Sequence, residues 1–65
     1  MSATQIRDKS TEELKELNTQ KRDELFRLRM ELYTGQLENP ATLKSTRREI
    51  ARIETVLRER ELAET

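Results

Sequence analysis

Apolar residues recur at helical spacing in two stretches of this chain. In the first, Leu14, Leu17, Leu25, Leu28 and Leu32 fall within an arc of roughly 80° at the helical advance of about 100° per residue, with Lys21 inside the same arc. In the second, Leu43, Ile50, Ile53 and Leu57 make a matching stripe that Thr46 joins at heptad-like spacing. Stripes this narrow bury against one neighbour, so the two read as opposite sides of a helix–helix seam. Lys21 is expected to lay its alkyl stem along that seam and carry its ammonium out to water.

The residues between the stripes punctuate them. Ser10 with Glu13 has the spacing of a capping box and opens the first long helix, Thr11 to Tyr33. Gly35, the single glycine, is best able to take the left-handed conformation just past a helix end. Asn39-Pro40 restarts the helix, since Asn caps and Pro tolerates the first helical position, and the second helix should run from Pro40 to about Leu62. Upstream, Ser2 with Gln5 suggests a short opening helix around Ala3 to Asp8. A connection over 34–39 between helices of similar length makes an antiparallel hairpin the economical arrangement. The expected fold is therefore all-α, one helical-hairpin domain over 1–65 with a short N-terminal helical turn.

Composition agrees and narrows the chemistry. With 65 residues, 40% charged and 32% hydrophobic, the chain is rich in helix formers and poor in the Val, Tyr and Phe that strands favour. A lone hairpin of this size is marginal, so a partner surface is expected to complete it. The chain has no Cys or His, and its Ser and Thr residues sit at caps or on helices with no base spaced to activate them, so an enzyme is not expected. Glu12, Glu13 and Glu16 resemble a cation site, but acids in a first helical turn are already accounted for by the helix dipole. No metal, cofactor or small-molecule substrate is expected. The pairs Asp23 with Arg27 and Glu54 with Arg58 read as helix-surface support at the i,i+4 spacing. No run approaches a membrane span and no secretory signal is evident, which makes a cytoplasmic protein the expectation.

Thirteen basic and thirteen acidic residues cancel, so only their distribution is informative. On the first helix Lys15, Arg22, Phe26, Arg29 and Tyr33 gather within roughly 60°, with Met30 beside them, while Glu13, Glu16, Asp23, Glu24 and Glu31 take the far side. On the second, Lys44, Arg47, Arg48 and Arg52 stand against Glu49 alone between Pro40 and Ile53, four cations less one anion for a local +3. Such faces are either solvated or contact surfaces, in which arginines meet phosphates and aromatics supply apolar or stacking contact. Phe26, Met30 and Tyr33 are the candidate partner contacts.

Three segments carry a resemblance. Glu24-Leu-Phe-Arg-Leu-Arg-Met30, Thr34-Gly-Gln-Leu-Glu-Asn-Pro40 and, after Leu43-Lys44, Arg47-Arg-Glu-Ile-Ala-Arg-Ile-Glu-Thr-Val-Leu57 together resemble the bacterial-type family of large-subunit ribosomal protein twenty-nine. The match spans nearly the whole chain, with the motifs in that family's order and spacing. It implies an antiparallel hairpin on 23S ribosomal RNA near the mouth of the peptide exit tunnel, where it is a structural constituent serving translation. It also implies a neighbouring large-subunit protein, number twenty-three, and a rim where the signal recognition particle and trigger factor dock. Position by position, it assigns RNA contact to Arg29, to Thr34, Gly35 and Gln36 in the turn, and to Lys44, Arg47, Arg48 and Arg52. Members of the family are commonly basic, and this neutral chain departs from them there. The alternative from another class is a protein-only module, a hairpin that dimerises into a four-helix bundle without RNA.

Overall fold

Ser10 accepts a hydrogen bond from the Glu13 backbone N–H at 3.1 Å, and its hydroxyl donates to the Glu13 carboxylate at 3.1 Å. This closes the first turn of a 23-residue helix. In the computed structural model, which describes residues 3–64, three helices follow one another: α1 (Ala3–Arg7), α2 (Thr11–Tyr33) and α3 (Pro40–Glu64), with no strand among the described residues. The expected boundaries of both long helices hold, α3 running two residues beyond Leu62. The share of Ser2 in the opening cap lies outside the described residues.

The end of α2 is built as expected. Gly35 takes φ +76°, its N–H donates to the Leu32 carbonyl at 3.2 Å, and the Gln36 N–H donates to the Glu31 carbonyl at 2.8 Å. That is a Schellman closure, which satisfies carbonyls the helix leaves orphaned. Asn39 restarts the chain by accepting from the Ala41 N–H on its side-chain oxygen at 3.0 Å, with Pro40 at the first helical position.

α2 and α3 run antiparallel, and α1 folds back onto α3. The seam follows the expected stripes with two changes. Leu14, Leu28, Thr46, Ile50 and Ile53 are buried, and Leu17, Lys21, Leu25, Leu43 and Leu57 are partly so. Leu32, however, is 51% exposed. The contacts Lys21–Glu49 and Thr11–Arg60 set a register that brings Leu32 opposite Glu38 and Asn39, in the connection before α3 begins. Conversely, Ile6 and Val56 are buried with Leu14 and Ile53 in one cluster, although neither lies on the two-helix seam. α1 supplies the missing third wall, so the densest packing sits where the termini meet, far from the turn.

Polar contacts fix that corner. The Arg7 guanidinium is 2.9 Å from the Glu59 carboxylate, while Arg60 donates to the Arg7 carbonyl at 2.9 Å and to the Thr11 hydroxyl at 3.3 Å. Midway along the seam Lys21 does more than reach water: its ammonium meets Glu49 at 2.8 Å and Glu24 at 3.4 Å. The hydrogen bond to Glu49 outweighs burial and raises the Lys21 pKa above its ordinary value, and the same bond lowers that of Glu49.

Candidate nucleic-acid interface

Charges in the terminal half of the hairpin are largely engaged within the chain. Arg7 holds Glu59, Lys15 approaches Glu12 at 3.8 Å, Lys21 holds Glu49, and Arg22 pairs with Glu54 across the seam. Arg22 therefore stays on the face it shares with Phe26 and Arg29, but with its charge answered by Glu54. Glu54, expected to support Arg58 along its own helix, carries this cross-seam pair, and Arg27 lies 3.9 Å from Glu31.

Toward the turn the pattern changes. Arg29, Lys44, Arg47 and Arg48 are exposed, and among the described residues no carboxylate comes within ion-pair distance of any of them. Arg52 is exposed one turn further along α3. Among the described residues, zero net charge thus averages a half in which most cations are engaged within the fold, Lys9 and Arg58 excepted, and a half in which most are not. Unspent guanidinium and ammonium groups on a rigid helix are suited to phosphate oxygens, the arginines by paired donors and the lysine as a point charge.

The predicted contact residues divide between two hollows. Lys44 and Arg47 edge one of about 470 Å³, floored by Pro40, Ala41 and Leu43. Arg29 and Phe26 edge another of about 370 Å³ with Arg22, Leu25, Ile50 and Glu54, where α2 meets α3. Arg48 and Arg52 lie on α3 outside both. The turn residues are exposed, but the Thr34 hydroxyl is already committed, donating toward the Met30 and Glu31 carbonyls at 3.2 Å each. What the turn offers a ligand is chiefly the Gln36 side chain and the close approach that Gly35 permits.

Phe26 is 67% exposed, Met30 49% and Tyr33 87%, and together with Leu32 they give the turn half of α2 an apolar surface. Sequence reasoning found this stripe but not the Pro40–Leu43 floor. Its signal was present in the i, i+4, i+7 spacing of Pro40, Lys44 and Arg47, but Pro40 was weighed as a helix start and Lys44 and Arg47 for charge. Among the described residues no group of His, Cys, Asp or Glu could hold a metal ion, and no helix is long and apolar enough to cross a membrane.

Comparison with known proteins gives a consistent result. The family model described as Ribosomal L29 protein matches residues 4–60. The chain is similar to the large ribosomal subunit protein uL29 of Moorella thermoacetica, 53% identical over 62 residues that cover 95% of this chain and 92% of the relative. The uL29 of Exiguobacterium sibiricum is 55% identical over 62 residues, with the same coverage of both chains. That of Listeria monocytogenes is 51% identical over 63 residues, covering 97% of this chain and all of the relative.

Proposed function

Since the chain belongs to the ribosomal L29 family, and so is a structural constituent of the large ribosomal subunit and not an enzyme, we propose that its turn half binds ribosomal RNA. As a ribosomal protein it is cytoplasmic. The observation that carries the RNA reading is the set of exposed cations, Arg29, Lys44, Arg47 and Arg48, that have no carboxylate partner among the described residues, on a chain whose net charge is zero. These residues, with Arg52 and the turn at Thr34, Gly35 and Gln36, are proposed to contact 23S ribosomal RNA near the exit tunnel. The apolar stripe of Phe26, Met30 and Tyr33 suits a protein neighbour, for which large-subunit protein twenty-three is the family's implied candidate. The signal recognition particle and trigger factor would then dock at the rim this hairpin helps to form.

Substitution tests the assignment by position. Lys44→Gln, Arg47→Gln, Arg48→Gln and Arg52→Gln should each weaken binding to a large-subunit RNA fragment and flatten the slope of log affinity against log salt by up to about one unit. Arg58→Gln should do less, because Glu54, Glu59 and Glu61 surround it in sequence. Equal loss at all five positions would reduce the effect to general basic attraction. A tight dimer without RNA affinity would replace this reading by the helical-bundle module.

A further inference from the structure

The hollow at the start of α3 combines two properties that phosphate binding alone does not require. Its floor is Pro40, Ala41 and Leu43, an apolar surface left open to water, and its edge carries Lys44 and Arg47. Among the described residues neither cation has a carboxylate partner. Cations that track a duplex backbone need no such floor, since paired bases hide their faces in the stack and present mostly ribose and phosphate. An unpaired nucleotide offers an apolar face and a phosphate together. Lys44 and Arg47 stand three positions apart on one helix, a rise of about 4.5 Å, just past floor residues 40, 41 and 43, which lets them hold the phosphates of one nucleotide whose base lies on the floor beside them.

Resting on the RNA reading above, we propose that this hollow is a subsite for a single unpaired nucleotide of RNA. The base covers Pro40, Ala41 and Leu43, and its flanking phosphates are held by Lys44 and Arg47. The occupant is assigned by charge complementarity. A protein side chain seated here would cover the floor and leave both cations unanswered unless the partner were also acidic. Phe26, Met30 and Tyr33, three large exposed apolar side chains on one helix, are the better seat for protein.

The test uses the full chain with methyl-labelled Ala and Leu and two probes of equal length and charge: a mixed-sequence single-stranded RNA decamer and the matching abasic ribose-phosphate oligomer. The base-bearing strand should bind tighter by about fivefold or more at physiological salt. It alone should move the Ala41 and Leu43 methyl resonances upfield, the signature of a ring stacked over them. Equal affinity for the two probes, or methyl resonances that stay still while Lys44 and Arg47 respond to both, would overturn the base subsite and leave phosphate binding intact. Binding of neither probe would overturn the subsite together with the RNA reading and return the hollow to a protein partner.

Discussion

Gly35 ends α2 with φ +76°, and beyond its own residue and its two chain neighbours no described atom lies within 4 Å of where a Cβ would stand. A substitution there meets no steric neighbour, so its cost isolates the left-handed backbone, about 1–2 kcal/mol for an ordinary L residue. Urea denaturation should therefore rank the variants Gly35→Asn, Gly35→Ala and Gly35→Val in order of increasing loss, with Asn mildest because it tolerates this region and Val worst because it is β-branched. A Val variant as stable as the wild type would remove the turn's stated cause. At this scale the sequence was informative wherever a residue type has one outstanding structural use. Ser10, Gly35, Asn39 and Pro40 could be placed because capping and left-handed turns select few residue types. Lys21 was placed on the seam correctly, but its partnership with Glu49 was not legible. A helical wheel fixes which face a residue occupies, not which residue of the opposing helix stands at its height.

Among the elements, α1 has an influence out of proportion to its five residues. Its Ile6 is fully buried in the cluster of Leu14, Ile53 and Val56, and the Arg60 contacts to the Arg7 carbonyl and the Thr11 hydroxyl bind the α1–α2 corner to α3. The sequence showed a short opening helix but assigned its apolar residue no role, because the seam was reckoned for two helices. Val56 was missed for the same reason: it lies one step off the stripe, toward a wall that only the folded chain reveals. Ile6→Ala should cost roughly 2–4 kcal/mol, as truncation of a buried aliphatic side chain does. Arg48→Ala, at an exposed position without an ion pair among the described residues, should change the stability of the free protein by less than about 0.5 kcal/mol. Thermal unfolding of the two variants beside the wild type separates them. Similar losses would mean that α1 is not the third wall of the core.

Across the whole molecule, packing and proposed function occupy opposite ends of a hairpin 44 Å long. The buried cluster of Ile6, Leu14, Ile53 and Val56 and the Arg7–Glu59 ion pair lie toward the termini, Lys21–Glu49 and Arg22–Glu54 lie midway, and Phe26, Met30, Leu32 and Tyr33 remain exposed toward the turn. Local stability follows the density of buried apolar contacts, so opening from the turn should cost less than opening from the termini. Amide hydrogen exchange on the free chain should accordingly be slowest around Leu14–Leu17 and Ile53–Leu57, and faster over 26–33 and 41–45, although all four stretches are helical. Large-subunit RNA, binding the folded form at the turn half, should then slow exchange most where the free chain was fastest, because a ligand stabilises only what it holds. Uniform protection in the free chain would contradict the one-ended core. Protection gained chiefly at the terminal end on adding RNA would place the contact on the wrong half of the hairpin, however well Lys44, Arg47 and Arg48, without carboxylate partners among the described residues, suit a polyanion.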